Sequence, residues 1–159
     1  TFRTETREKC SYETAQSETK LPGGTRIIGP YSKGEFTFVD IFSGSYGFIG
    51  SSIISREGPV WGVRYKGWIL SDKNRNEEFA NHLFDNVLKP ALRQFPRDMP
   101  FSRGPSKLLI GNYEYHNKTD GSLKSFRNHE RILDLSSGKM VYRYEDNGGL
   151  LPWIQRARL

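Results

Sequence analysis

The chain has few aliphatic residues and almost no cysteine. Apolar residue types make up 35% of the 159 residues, and Cys10 is the only cysteine. One thiol excludes an intrachain disulfide and a structural zinc site built from several thiolates, so we expect a reducing, cytoplasmic setting and no bound metal. No run approaches the roughly 18 apolar residues of a membrane-spanning helix, and the charged N-terminal region lacks the pattern of a signal peptide. The sequence therefore predicts no membrane partner.

Aromatic residues and a mild basic surplus are what the chain does have. Phe, Tyr and Trp reach 13% of the residues, so the core must rest on rings rather than on Leu, Ile and Val, which favours β-rich structure over a helical bundle. Lys and Arg number 24 against 18 Asp and Glu, a net charge of +6 that suits an acidic partner. The length predicts a single domain over 1–159, with 152–159 as a tail.

Two segments of the chain, at about 29–70 and 104–151, resemble each other. Each begins with Gly-Pro, continues through an aromatic stretch to Gly-Ser, and closes with an aromatic strand. The closing strands are Val60–Tyr65 in the first segment and Met140–Tyr144 in the second. The ordered agreement predicts an internal duplication.

Each segment has the pattern of three antiparallel strands, since aromatic and β-branched residues alternate between turn residues. The tightest predicted hairpins are Arg56–Pro59 and Ser136–Lys139. The stretches at 13–29 and 96–111 are polar or rich in Gly and Pro, so we expect long loops there. The predicted duplication also implies a helix ahead of the first segment, at residues 2–12.

One amphipathic helix is predicted between the segments, at about 76–95. Its apolar residues recur at helical spacing, and they are Phe79, Leu83, Phe84, Val87, Leu88, Ala91, Leu92 and Phe95. Asn74 and Asn76 can cap the start of the helix, and Pro90 is expected to kink or break it near Lys89. The predicted fold class is α+β, with duplicated αβββ units, antiparallel sheets and this central helix.

Several runs rich in glycine and aromatic residues resemble a known family. They are Lys9–Ala15, Lys33-Gly34-Glu35-Phe36-Thr37-Phe38, Phe48-Ile49-Gly50, Gly58-Pro59-Val60-Trp61, Phe101-Ser102-Arg103-Gly104-Pro105, and Val141-Tyr142-Arg143 followed by Gly148-Gly149-Leu150. On these runs residues 5 to 151 are similar to an uncharacterised bacterial domain family of unknown function, which occurs alone and behind helix-turn-helix regulators. Ser51 departs from the family, which often has Gln or Glu there. The resemblance implies a fold more than a function, and it assigns no catalytic residue.

Catalytic patterns are weak, which favours a protein that is not an enzyme and needs no cofactor. The three histidines, His82, His116 and His129, have no metal-ligand spacing, and the chain lacks a nucleophile elbow and a phosphate-binding loop. An enzyme remains an alternative if carboxylates and a histidine gather in one cleft. The candidates for that cleft are Asp40, His129, Glu130 and Asp134.

Aromatic residues interleaved with cations are the remaining binding chemistry. On the strand that closes the first segment, one face carries Trp61, Val63 and Tyr65 and the other carries Arg64, Lys66 and Trp68. On the strand that closes the second segment, one face carries Met140, Tyr142 and Tyr144 and the other carries Val141 and Arg143. Parity predicts one aromatic cluster of Trp61, Tyr65, Tyr142 and Tyr144, with Trp61 the most buried. Arg103 lies in a long loop, where it can present a planar fork to a carboxylate or phosphate.

The leading hypothesis is a non-catalytic binding module, sensory or regulatory, for a small acidic or aromatic ligand or a protein partner. Its candidate ligand-binding residues are Trp61, Tyr65, Arg103, Tyr142 and Tyr144. The alternative is a nucleic-acid-binding protein that uses basic and aromatic residues. A basic stripe beside exposed aromatic rings distinguishes this alternative.

Overall fold

Nine strands form one antiparallel sheet in the computed structural model, which describes residues 18–70 and 76–151. The order across the sheet is β1-β2-β3-β4-β5-β9-β8-β7-β6. The strands are β1 Glu18–Lys20, β2 Thr25–Lys33, β3 Phe36–Gly44, β4 Gly47–Ser55, β5 Pro59–Ile69, β6 Lys107–Ile110, β7 Tyr113–Ser122, β8 Ser125–Asp134 and β9 Lys139–Leu150. A short 3₁₀ turn, Pro22–Gly24, joins β1 to β2. Across the described ranges, no helix has both the length and the apolar character needed to span a bilayer.

Two of the turns between consecutive strands begin with a glycine at positive φ. Gly34 and Gly111, at φ 58° and 56°, begin the two-residue turns between β2 and β3 and between β6 and β7. A glycine adopts this left-handed conformation without the steric penalty of a side chain. The predicted hairpins at Arg56–Pro59 and Ser136–Lys139 are confirmed as the turns before β5 and β9.

The central pair of strands is β5 and β9, the two strands that close the predicted repeats. The two predicted repeats lie in runs of four strands joined by hairpins, β2–β5 and β6–β9, where the sequence predicted three strands each. β1 adds a fifth strand to the first side of the sheet. The predicted loop at 13–29 was wrong over its described part, which contains β1 and the start of β2. The duplication itself stays a prediction, and the predicted helix at 2–12 lies outside the described residues.

The predicted helix is confirmed as α1, which runs from Glu77 to Arg93 in three segments. An α-helical start (Glu77–Leu83) leads into a π-helical stretch (Phe84–Leu88) and an α-helical end (Lys89–Arg93). The Asn76 Oδ1 atom accepts a hydrogen bond of 3.0 Å from the Phe79 N–H, so one of the two predicted caps is confirmed; the other, Asn74, lies outside the described residues. Pro90 does not break the helix; the irregularity is the π stretch before it, where the Lys89 N–H donates to the Phe84 carbonyl.

One face of the sheet, here called the inner face, is covered by α1 and by the loop at 94–106. Its buried apolar residues form two clusters. The helix cluster contains Leu83, Val87, Leu88 and Ala91 of α1 with Tyr115, Ile132, Val141, Tyr142 and Tyr144 of the sheet. The loop cluster contains Phe38, Ile54, Trp61, Val63 and Phe126, with Phe101 of the loop packed against it.

The expected single cluster of four aromatic residues is wrong, because Trp61 lies apart from the three tyrosines. Its ring stacks on Phe126 at 5.7 Å in the loop cluster. Tyr65 stacks on Tyr144 at 6.0 Å and packs against the helix cluster. Trp61 is also not the most buried of the four, since Tyr142 is fully buried and Trp61 is 3% exposed.

The simple alternation predicted for β9 fails at one position. Val141 and Tyr142 are adjacent in sequence, yet both are fully buried. The pairing of β8 with β9 shifts between Ile132 and Leu133, whose partners are Tyr142 and Met140. Such a β-bulge adds a residue to one strand, so Val141 can join the core beside Tyr142.

We expect Trp61→Ala to lower the free energy of unfolding by about 3–5 kcal/mol, because it removes a buried ring stacked on Phe126. Urea denaturation measures this change. Leu109→Ala is the control, since Leu109 is 61% exposed and its loss should change stability by less than about 0.5 kcal/mol. An equal effect of the two substitutions would contradict the buried position of Trp61.

Candidate functional site

Arg103 enters the inner face from the loop that follows α1. Its guanidinium lies 4.1 Å from the centroid of the Tyr144 ring, and its Nη2 atom is 3.4 Å from the Glu130 carboxylate. Three-quarters of the side chain is buried. Burial alone would lower the pKa of Arg103, but Glu130 and the neighbouring Tyr144 oppose this, and the net effect raises the pKa well above its usual range. Arg103 is therefore a buried cation held by a carboxylate and a ring.

Glu130 is the acceptor around which the buried polar groups gather. Its side chain is fully buried on β8. The Tyr115 hydroxyl donates to one of its carboxylate oxygens, and the Tyr142 hydroxyl donates to the other at 3.2 Å. Burial, and then the charge of Glu130, raises the pKa of both phenols well above their usual range. The two tyrosines therefore remain neutral hydrogen-bond donors to the carboxylate.

A second buried acid, Asp146, extends the polar region along β9. The Tyr144 hydroxyl donates to it at 3.1 Å, and the Asn128 side-chain amide donates to it at 2.9 Å. Asn128 also donates to the Phe101 carbonyl at 2.8 Å, which ties the loop to the sheet. Burial raises the pKa of Asp146, and the charge of Arg103 only partly offsets that effect.

Tyr65 connects this region to the first half of the sheet. Its hydroxyl donates to the Asp40 carboxylate, with oxygen distances of 2.9 and 3.0 Å, and Ser52 donates to the same carboxylate at 2.8 Å. The Tyr65 ring crosses Gly50 on its way to Asp40. A Cβ at Gly50 would lie 2.4 Å from the ring, so only glycine permits this close approach.

The structure brings together four of the five predicted ligand-binding residues. Tyr65, Arg103, Tyr142 and Tyr144 meet on the inner face, and Trp61 lies in the loop cluster. Sequence reasoning missed Tyr115, Asn128 and Asp146, which complete the polar region. Period-two alternation along β8 could have placed Asn128 on the face of Glu130, but no local pattern shows which loop residue that face receives.

The four candidates for a catalytic cleft do not gather in one. His129 is exposed on the outer face of the sheet, opposite to its neighbour Glu130. Asp134 accepts hydrogen bonds from Ser136 and Ser137 in the turn before β9. Within residues 18–70 and 76–151, no three His, Cys, Asp or Glu side chains are grouped so that they could hold a metal ion.

The outer face of β5–β9 is strongly basic. Alternation along the strands places seven Arg and Lys side chains there, against three acidic ones. The cations are Arg64, Lys66, Lys107, Lys118, Arg127, Arg131 and Arg143, and the acids are Glu114, Asp120 and Glu145. This face includes Arg64, Lys66 and Trp68, which the sequence predicted to lie together.

Strand register aligns five of the outer-face residues in one row, here called the cationic row. Adjacent strands contribute residues that are directly paired: Trp68 with Arg143, Arg143 with Arg131, Arg131 with His116, and His116 with Lys107. Four strand spacings of about 4.8 Å make this row about 19 Å long. One aromatic residue therefore stands at one end of a line of basic side chains.

Acidic neighbours neutralise only part of this face. Lys66 pairs with Glu145 at 2.7 Å, and Lys107 pairs with Glu114 at 2.9 Å. The hydrogen bond from Lys66 lowers the pKa of Glu145, and those from Lys107 and His116 lower the pKa of Glu114.

Three arginines of the outer face have no acidic partner among the described residues. In the described part of the chain, Arg64, Arg127 and Arg131 form no ion pair. Arg131 also stands directly opposite Arg143, an arrangement of like charges that destabilises a sheet.

Comparison with known proteins gives a family for this fold. The model of a domain of unknown function, DUF5680, matches residues 40–151, which is more than half of the chain. The chain belongs to the DUF5680 family. No match was found among curated proteins or among solved structures. The matched part of this DUF5680 domain includes Arg103, Glu130 and the whole cationic row.

We expect Arg103→Met to destabilise the DUF5680 domain by about 3 kcal/mol, because it leaves the buried Glu130 carboxylate without its counter-charge. Adding Glu130→Gln should recover part of this loss, since the buried charge is then gone. Urea denaturation of the two single variants and the double variant measures the coupling. Arg56→Met removes an exposed pair with Glu35 and should cost less than about 1 kcal/mol. An Arg103→Met variant as stable as this control would contradict the assignment.

Asp146 should make the domain less stable as pH rises. Its pKa is higher in the folded domain than in the unfolded chain, so the folded state binds the proton more tightly between the two values. Relative to Asp146→Asn, the wild type should therefore lose stability as the pH rises from about 4 through the folded pKa. Urea denaturation of both proteins at several pH values tests the sign. A difference that is constant or grows with pH would show that Asp146 is not destabilised by burial.

Proposed function

We propose that this domain is a non-catalytic binding module and that its partner is a nucleic acid, bound on the outer face of β5–β9. The observation that carries the proposal is the cationic row, in which Arg131 and Arg143 stand side by side. Their mutual repulsion works against folding, and a bound row of phosphates would relieve it. An aromatic residue at the end of the row adds a surface on which a base can stack.

The shape of the basic face supports an extended partner. The seven cations are spread over five strands on an open sheet face, so a small acid would contact one or two of them. A chain of phosphates would contact several cations at once, and the release of its counterions would add to the affinity. The formal charge of +6 for the whole chain favours the encounter with such a partner.

The inner face offers less to a ligand. Arg103, the cation expected to bind a small acidic or aromatic ligand, already has Glu130 and the Tyr144 ring as partners. Tyr65, Tyr142 and Tyr144 likewise donate their hydroxyls to buried acids. A ligand would have to replace these contacts. Binding at these residues and at Trp61 stays a prediction, and we propose that they mainly stabilise the sheet behind the basic face.

The regulatory role in bacteria, the cytoplasmic location and the internal duplication remain parts of the hypothesis. If the halves are copies, their outer faces have diverged. The corresponding face of β2–β4 carries Ile27, Val39, Ile41, Ile49 and Ile53 in place of arginines. Under this hypothesis only the second half and its boundary strand β5 would bind the partner.

We expect Arg131→Gln to weaken nucleic-acid binding at low salt and to make the binding less dependent on salt. Each lost phosphate contact should lower the slope of log affinity against log salt by about 0.7–1. Fluorescence anisotropy with a labelled oligonucleotide across a salt series measures both effects. Arg56→Gln is the matched control, because it changes the net charge equally but lies in the turn before β5. No binding by the wild type, or equal losses in both variants, would refute the proposal.

A further inference from the structure

We infer that the nucleic acid bound at this face is single-stranded and that one of its bases stacks on Trp68. The inference rests on the proposed function and adds to it the class of nucleic acid. It follows from the surroundings of Trp68, which differ from those of the other tryptophan in the described ranges. Trp61 is buried in the loop cluster, whereas Trp68 is half-buried on the outer face.

On the side of β4, no side chain stands directly opposite Trp68. Its directly paired neighbour on β4 is Gly47, which has no side chain to cover the ring. A Cβ built at Gly47 would meet nothing closer than 4.0 Å, so a larger residue would fit there. Packing therefore does not require glycine at position 47. Because Gly47 has no side chain, β4 places none directly opposite the Trp68 indole.

Two cations lie next to the same ring, and a second aromatic residue lies in the turn beside the end of β5. The Arg143 guanidinium lies 5.6 Å from the ring centroid and the Lys66 ammonium lies 6.0 Å from it. Tyr46, in the turn before β4, is 46% exposed, and its carbonyl accepts a hydrogen bond from the Ile69 N–H at 2.7 Å. The half-buried Trp68 and the exposed Tyr46 thus both belong to the end of the sheet where β5 ends.

This arrangement selects for unpaired bases. In a duplex the bases are stacked on each other and paired, and a side chain on a flat sheet face contacts only the phosphate backbone. In a single strand each base exposes a π-face that can stack on an indole. Arginines beside the indole can then bind the flanking phosphates. The order Trp68, Arg143, Arg131 along the row places the stacking surface directly before the phosphate-binding side chains.

The experiment compares two probes on the full chain by fluorescence anisotropy. The probes are a labelled oligothymidine of about 20 nucleotides and a hairpin duplex of similar length, each at about 50 and 200 mM salt. The proteins are the wild type, Trp68→Leu, Trp68→Phe and Arg131→Gln. Circular dichroism and thermal melting of each variant establish that it is folded. Vesicles containing anionic lipid provide a third probe for the wild type.

We expect the wild type to bind the single strand at least about ten-fold more tightly than the duplex. Trp68→Leu should lose about ten-fold on the single strand and little on the duplex, and Trp68→Phe should recover most of the loss, because a phenyl ring also stacks. The single strand should quench the tryptophan fluorescence of the wild type and not that of Trp68→Phe. This readout does not depend on Trp68→Leu being folded.

The outcomes separate the inference from the proposed function. If both probes bind with salt dependence and Arg131→Gln weakens both, but Trp68→Leu has no effect or the duplex binds equally well, the single-strand inference is wrong and the proposed function stands. If neither nucleic acid binds, or only the anionic vesicles do, the proposed function is wrong and the inference falls with it.

Discussion

The full burial of Glu130 is the constraint on which the inner face depends. A carboxylate removed from water costs several kcal/mol unless donors and a counter-charge replace its hydration. Tyr115 and Tyr142 supply the donors and Arg103 supplies the charge. Because Arg103 is carried by the loop after α1, satisfying Glu130 also determines where that loop lies and brings Phe101 onto the loop cluster.

The same polar region explains why the core has two parts. Acids and amides occupy the middle of the inner face from Asp40 on β3 to Asn117 on β7, with the helix cluster and the loop cluster as separate apolar groups. Aromatic rings suit this arrangement because a tyrosine can pack its ring in a cluster and direct its hydroxyl to an acid. Tyr144 does so between the ring of Tyr65 and the carboxylate of Asp146.

The charged residues on the two faces of β5–β9 therefore differ in burial and in pairing. Inner-face charges are buried and paired, so they contribute to stability and to the position of the loop. Outer-face arginines are exposed, where solvent and salt reduce their mutual repulsion without removing it. A sheet can carry such a row only if its other face provides enough stability, which links the buried Glu130 network to the basic surface behind it.

Local patterns in the sequence determined the parts of the fold that depend on near neighbours. Periodicity located the helix, residue type gave Asn76 as one of its two candidate caps, and turn residues located the hairpins before β5 and β9. Parity also placed Arg64, Lys66 and Trp68 on one face. Tertiary structure alone decided which strands pair and in what register, and so it decided that Arg131 stands beside Arg143 and that Trp61 lies apart from the tyrosines. Those contacts join residues distant in the chain, and their energies depend on burial that no local pattern encodes.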